Sequence, residues 1–451
     1  MTDRTAASGD PTAGDSTQDA REPGLGSGGL GFLAFLTLLN VLNFVDRQLL
    51  SSFANWIVPE LELTNTEFGL LTGLVFIVFY TVMGLFMGTL VDRMNRTRLI
   101  AAGVGLWSGL TALSGMAVNF ATLALPRAFI GVGESVLTPA AMSLFGDRYP
   151  SSRLGVVTGI YGLGVPIGIA CSLFIVAYLE PYLGWRGCFY ALGAIGVVLA
   201  LAMLFLKETP RVQRSGEPSA PTPSFREIIR GLFSALRHAP ALTVTVLGAV
   251  SFSLLLGASV FEQLWFVRER GFDRTDIAEI SAWFAIFGGI LGTLAGGYGG
   301  DVFMRRTGIG RPMFLFWVML ALAPFNVALR VVEPDSLLFW PGVFFIYFQL
   351  GVFYGPTFAT VQELAPPRIR GTVVAFCILM IQLFGIAAGA VIAGFVIELL
   401  QDASVPDPYT RTLLGFTFVS MASIPLFFYG GRRFRRDREA LFAREQVEGG
   451  G

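Results

Sequence analysis

Four ionisable residues stand in the middle of apolar runs. Asp46 and Arg47 lie within a stretch near residues 30–58, and Arg127 and Glu134 within another near 121–146. An unpaired charge at that depth costs a few kcal/mol even on the lenient insertion scale, so each needs a partner, a water-filled cavity, or both. A carboxyl held in a low-dielectric setting can bind and release a proton near neutral pH. An arginine fork can hold a carboxylate or phosphate by two parallel hydrogen bonds. The chemistry on offer is therefore proton exchange beside anion recognition. Arg127 and Glu134 are seven residues apart, two turns on one helix face with about 10 Å of rise between them, so only two bending side chains could meet. Arg47 follows Asp46 by about 100° of helix rotation, which lets the two face different partners. The competing reading is a static ion-pair network locking the first and fourth helices together.

Glu262 is the second-half position corresponding to this first-helix site. It stands five residues before the charged stretch that begins at Arg268, so a snorkelling residue and a cavity ligand are equal expectations. Tyr80, Tyr161, Gln349, Tyr354 and Gln382 also sit in apolar runs and could line a cavity or simply pack. Other chemistries are poorly supplied. The single histidine, His238, lies in a polar segment, and Cys171, Cys188 and Cys377 have no metal-ligand spacing, so no metal, disulfide framework or cofactor is expected. Gly24-x-Gly26 and Gly103-x-Gly105 follow no strand and are not nucleotide loops. No intramembrane histidine, and no serine with a plausible base, supports an acyltransferase or hydrolase.

The elements that must position these groups are membrane helices. Of 451 residues, 53% are hydrophobic and 14% charged, against roughly a quarter charged in soluble domains. At about 20 residues per crossing the chain reads as all-α, with twelve spans near 30–58, 67–91, 98–118, 121–146, 154–179 and 187–206, then 241–267, 277–300, 311–331, 337–362, 371–398 and 411–431. Residues 1–29 read as a disordered tail with no signal-peptide core, 207–240 as a linker, and 432–451 as a second tail. With the amino terminus inside, 24 of the 32 basic residues fall on inner segments and 6 on outer ones. This asymmetry predicts a multi-pass protein of the cell inner membrane with both termini cytoplasmic. Zero net charge gives no reason to expect nucleic acid. In the linker, Phe225, Ile228, Ile229, Leu232, Phe233 and Leu236 recur at helical spacing with Arg226, Arg230 and Arg237 on other faces, the pattern of a helix lying on the membrane surface.

The halves 30–206 and 241–431 look duplicated. Gly88-x-x-x-Asp92-Arg93 at the end of the second span recurs as Gly297-x-x-x-Asp301 at the end of the eighth, 209 residues later. Thr64-x-x-Glu67 and Asp276-x-x-Glu279 are capping patterns 212 apart. Asp147-x-x-Pro150 with Gly155 returns 216 later as Glu363-x-x-Pro366 with Gly371. Two six-helix halves related by an axis along the membrane normal form the arrangement in which substrate binds between them at the midplane.

Gly88-x-x-x-Asp92-Arg93-x-x-Arg96 resembles the inner-loop signature of the major facilitator superfamily, with Asn95 where that pattern has glycine, and Arg127-x-x-x-Gly131-x-Gly133 resembles its fourth-helix motif. Gly88 would let helices approach, Asp92 can dock on a helix N-terminus of the other half, and Arg93 and Arg96 can pair with Asp147. With Asp301 repeated in the second half, these residues make a candidate cytoplasmic gate. Gly162-x-Gly164-x-Pro166-x-Gly168 imperfectly resembles the fifth-helix motif of proton-coupled antiporters, and a flexible interruption explains it as well. Asn43-Phe44-Val45-Asp46-Arg47, Gly131-Val132-Gly133-Glu134-Ser135 and the run from Phe68 through Arg98 are similar to the Spinster branch of the superfamily, whose eukaryotic members move sphingosine-1-phosphate or lysophospholipids.

The expected function is secondary transport by alternating access, with Asp46 and Glu134 exchanging protons and Arg47, Arg127 and Glu262 holding an amphiphilic or anionic solute. A lysolipid is favoured, because the first half offers few polar side chains near the carboxyls: Asn40, Asn43, Ser135 and Thr138. A proton-coupled symporter of sugar acids or carboxylates is the runner-up, followed by a membrane enzyme and a non-transporting receptor. The expected partners are the bilayer, protons and the solute, and the expected state is a monomer.

Overall fold

The computed structural model describes residues 27–150, 152–211 and 225–449. The expectation of a disordered tail over 1–26 and most of the polar linker lie outside the described residues. Everything with regular structure among them is helical. Eleven helices are long and apolar enough to cross a membrane. The twelfth crossing, Arg96–Ser114, is shorter and carries buried Ser108, Thr111 and Ser114 on its packed face. The chain is a multi-pass membrane protein of twelve helices in two six-helix halves.

The first span runs Ser27–Ser52 and continues as Ala54–Glu60; the second is Asn65–Thr72 and Leu74–Arg93; the fourth is Phe120–Glu134 and Leu137–Arg148; the fifth is Leu154–Gly162 and Gly164–Tyr178; the sixth is Glu180–Leu204. In the second half the seventh is Pro240–Ala258 with Glu262–Arg268, the eighth Arg274–Leu294 with Gly300–Thr307, the ninth Arg311–Val331 and the tenth Phe339–Leu364. The eleventh is Arg370–Leu379 with Ala388–Asp402, and the twelfth Pro408–Met421 with Ser423–Gly449. The eighth and eleventh carry π-helical turns at Ala295–Gly299 and Met380–Ala387. Residues 432–449 are helix rather than a free tail: Phe434 is buried, and the Asp437 carboxylate accepts the Ala241 amide at 2.7 Å, closing the start of the seventh span. The linker helix forms over Phe225–His238, with Leu232 and Ala235 buried and the arginines and His238 exposed.

Small residues set the close approaches. A Cβ at Gly131 would meet the Phe76 carbonyl oxygen of the second span at 2.7 Å, and one at Gly133 the Gly103 carbonyl of the third at 2.9 Å. The two glycines thus wedge the fourth span between its neighbours and leave the next residue, Glu134, at the break of that helix. Gly164 and Gly168 do the same for the fifth span against Asn40 and Phe44 of the first.

The halves touch at the face opposite the termini. There Asn65 donates to Gln401 at 2.8 Å, Thr66 donates to Glu398 through its amide and hydroxyl at 3.2 and 2.5 Å, Tyr178 donates to Glu279 at 2.6 Å, and Asn55 donates to the Gln263 carbonyl at 2.9 Å. Deeper in, Gly289 of the eighth span receives Pro166 of the fifth. At the face bearing the termini, no hydrogen bond joins the halves among the described residues, and a Cβ placed on Gly88, Gly155 or Gly371 would meet nothing within 4 Å. The molecule is closed on one side and open toward its termini.

Candidate functional site

The four charges of the first half do converge, though not in the pairs that spacing suggests. Arg47 Nε donates to Glu134 Oε2 at 2.6 Å. Arg127 does not bridge down its own helix to Glu134; it crosses to the first span and donates to the carbonyls of Asp46 and Arg47 at 3.3 and 2.9 Å. Asp46 turns to the third span, where the Thr111 hydroxyl donates to Oδ1 at 2.6 Å. Oδ2 of Asp46, Oε1 of Glu134 and Nε of Arg127 are buried with no hydrogen-bond partner. Two buried carboxyls with one uncommitted oxygen each are places for a proton.

Aromatic faces complete the cluster. Arg47 lies over Tyr80 at 4.3 Å and over Phe76 and Phe44 at 5.2 Å, and Arg127 over Phe76 at 4.8 Å, contacts that support a guanidinium where water is scarce. The side chain of Arg47 is 17% exposed and that of Glu134 0%. Arg47 is therefore the member that faces the opening. Of the polar neighbours, Asn40 donates to the Tyr161 carbonyl at 2.8 Å and Ser135 to the Val132 carbonyl at 2.7 Å, whereas Nδ2 of Asn43 is buried without a partner.

Glu262 is buried, so the snorkelling alternative fails: it accepts from Arg330 Nη2 of the ninth span at 2.7 Å. Arg330, 1% exposed and stacked over Trp265 at 4.7 Å, escaped the sequence reading because it ends a span where an arginine normally marks only topology.

At the termini face Arg96 is fully buried and binds four groups. It reaches Asp147 at 2.5 Å, Ser143 at 2.9 Å, Glu208 at 2.7 Å and the Thr209 carbonyl at 2.6 Å. Asp92 and Arg93 are exposed, and Asp92 makes no side-chain hydrogen bond or ion pair among the described residues. Gly88, expected at a close helix approach, faces open space because the halves are parted here. Two linker residues were missed. Glu208 also accepts the Thr97 amide at 3.0 Å, and Arg211 donates to the carbonyls of Val91, Asp92 and Met94 at the end of the second span. In the second half Arg311 holds Asp301 at 2.7 Å and also holds Glu363. Asp276 does not cap the eighth span; the cap is Asp273, which accepts the amides of Thr275 and Asp276.

The family model of the Major Facilitator Superfamily matches residues 36–390. The chain belongs to that superfamily. Among relatives, an "MFS-type efflux pump" of Mycolicibacterium smegmatis is 28% identical over 411 residues, covering 88% of this chain and 91% of that protein. Protein spinster of Drosophila melanogaster is 23% identical, covering 81% and 61%. A probable L-galactonate transporter of Escherichia coli is 34% identical over 164 residues, covering 36% of each. The crystal structure of a bacterial homolog of the human lysosomal transporter Spinster shares the fold with a TM-score of 0.76 at 23% identity, over 91% of this chain and 98% of that one. Within the superfamily, the chain is thus similar to Spinster proteins in sequence and in fold.

Proposed function

We propose that this transporter works by alternating access and couples the movement of an amphiphilic or anionic organic solute to protons through Asp46 and Glu134. The observation that carries the reading is the 2.6 Å hydrogen bond from Arg47 Nε to Glu134, made by a side chain that is 17% exposed and lies against aromatic rings. Glu134 and an arriving anion compete for Arg47. An ionised Glu134 holds the arginine; a protonated one releases it. Proton and anion binding are then mutually favourable, and by linkage the effect of each on the other is equal. The affinity for an anion rises as pH falls, the thermodynamic sign of symport.

A lysolipid is the favoured solute: Arg47 supplies a phosphate partner, and the rings of Phe44, Phe76 and Tyr80 lie beside it. A sugar acid or carboxylate is the second reading, favoured by the resemblance to the L-galactonate transporter of Escherichia coli. The termini are assigned to the cytoplasm by the bias of Arg and Lys toward that face, the membrane is the inner one, and the twelve-helix chain acts as a monomer. Asp92 and Arg93 form the gate that closes the termini side when the halves rock together. Arg127 fixes the first span, and Glu262 belongs to the substrate path.

Proteoliposomes with an imposed proton gradient test this directly. Saturable flux of a labelled lysophospholipid that is accelerated by the gradient and lost in Arg47→Ala is the expected result. Gradient-driven flux of a hydroxy acid alone would replace the lipid reading, and gradient-independent flux of both would remove the coupling.

A further inference from the structure

A small, partly open cavity of about 70 Å³ lies between the first, fifth, seventh and tenth spans, where the two halves meet. It has room for a group of a few heavy atoms and not for a whole headgroup. Its polar lining comes from both halves: Gln48, Ser51, Ser52, Ser259, Glu262, Gln263 and Tyr347, among apolar walls.

The hydrogens of these serines are spent. Ser51 donates to the Gln48 carbonyl at 2.9 Å and Ser259 to the Leu256 carbonyl at 2.7 Å. Ser172 donates to the Ile169 carbonyl at 2.7 Å, so in its 2.9 Å contact with Ser52 it is Ser52 that donates. What the serines have left are lone pairs. Gln263, 7% exposed, holds its Oε1 buried with no partner, and Glu262 is engaged by Arg330 at Oε1 only. A buried acceptor left unmatched costs about 1–3 kcal/mol. Gln263 Oε1 is the unmatched acceptor of this lining and is completed by an incoming O–H or N–H.

Ser51 follows Arg47 by four residues, one turn on the same face of the first span and about 6 Å of rise. We propose that this cavity is a donor pocket: it takes a hydroxyl or primary ammonium group of a solute whose anionic group rests on Arg47, a few bonds away. The proposal rests on the anion-binding reading of Arg47 and narrows the substrate class to anions that carry a nearby hydrogen-bond donor. Two sources share that chemistry, an aminoethyl phosphate headgroup and a polyhydroxy acid.

The test compares half-saturation concentrations for uptake by the full chain in proteoliposomes, within two pairs of solutes. Lysophosphatidylethanolamine is set against lysophosphatidylcholine, whose trimethylated nitrogen has no N–H, and a six-carbon polyhydroxy acid against hexanoate. The donor-bearing member of the transported pair is expected to be preferred about tenfold, the worth of one such hydrogen bond. That preference should collapse in Gln263→Met and in Ser259→Ala, neither of which breaks the Glu262–Arg330 pair. Which pair is transported identifies the source. Equal half-saturation within the transported pair, with all flux still lost in Arg47→Ala, overturns the donor pocket and leaves the transporter reading intact. A tenfold preference that persists unchanged in both variants also overturns it. Absence of flux for all four solutes removes the anion reading of Arg47 and this inference together.

Discussion

Arg96 opens the third span and Arg311 the ninth, at equivalent places in the two halves, and each binds the acid that ends the following helix, Asp147 or Glu363. The third partner differs. Arg311 takes Asp301 from the end of the preceding span, whereas Arg96 takes Glu208 from the linker and leaves the equivalent Asp92 exposed. Burial differs as well: the Arg96 side chain is 0% exposed and that of Arg311 12%, with Asp301 at 52%. A duplicated cluster has thus been finished in two ways. The second half uses its aspartate at home. The first half satisfies its arginine from the linker, and its aspartate stays available to the opposite half.

The largest effect should come from removing the arginine that has no water to fall back on. Arg96→Ala strands Asp147 and Glu208 in a partly buried site and should destabilise by about 3–5 kcal/mol, the usual result of breaking a buried pair; Arg311→Ala should cost clearly less. Thermal unfolding of the two variants in the same detergent checks the ranking, and equal losses would erase the distinction between the clusters.

Next, Asp92→Asn should leave the melting temperature unchanged and bias the population toward the state open at the termini by about 1–2 kcal/mol, the upper range for a charge at a helix end. Asp301→Asn should do the opposite, lowering stability slightly without moving the population. Accessibility of single cysteines at the two faces separates these outcomes; a population shift in the second variant would show that both aspartates reach across.

The halves also differ at mid-membrane, where the first carries two buried carboxyls with one oxygen each unpartnered and the second a Glu262–Arg330 ion pair. Anion affinity in the wild type should rise by up to about tenfold per unit fall in pH while Glu134 titrates, one proton per anion. Glu134→Gln and Asp46→Asn should each flatten that profile and Glu262→Gln should not. A wild-type slope surviving in both first-half variants would move the coupling elsewhere.

The smallest effect compares the helix starts. Thr64 closes a capping box at the second span, while Asp273 at the eighth is charged, and the Thr275 hydroxyl and nearby amides hold its carboxyl below the usual range. That group stabilises the fold above its unfolded pKa, and the contribution is lost as pH falls through its lower folded value. Asp273→Ala should cost about 0.5–1 kcal/mol near neutrality and nothing in strong acid, whereas Thr64→Ala should cost a similar amount at every pH. Parallel pH–stability curves for the two variants would contradict this.

Much of the architecture is written in local pattern. The twelve crossings, the linker helix and the Thr64–Glu67 capping box follow from runs and short spacings, and Asp46, Arg47, Arg127 and Glu134 stand out because a charge in hydrocarbon is costly wherever it pairs. The Arg96–Asp147 pair was legible in its motif, but the other partners were not. Glu208 meets Arg96 across 112 residues and Arg330 meets Glu262 across 68, with no periodicity linking either pair. Asp276 fits the capping pattern as well as Asp273 does, and only the backbone turn decides between them. The break after Gly162 falls in the Gly162–Gly168 stretch where an interruption is expected, whereas no local pattern marks the break after Glu134 or the π-helical turns.

The contact of Pro166 with Gly289 is hydrocarbon against a bare backbone, with no directional bond to break. Such a joint can roll with little change in energy, like a dry bearing. Resistance to opening the closed face comes from ring contacts such as Phe68–Phe261 and Phe174–Trp283 and from the polar rim, where Asn65, Thr66 and Tyr178 reach Gln401, Glu398 and Glu279. Each of those polar bonds can be exchanged for one to water. Part of the barrier to opening that face is therefore one of wetting, and solutes that withdraw water from protein surfaces should slow any opening of it.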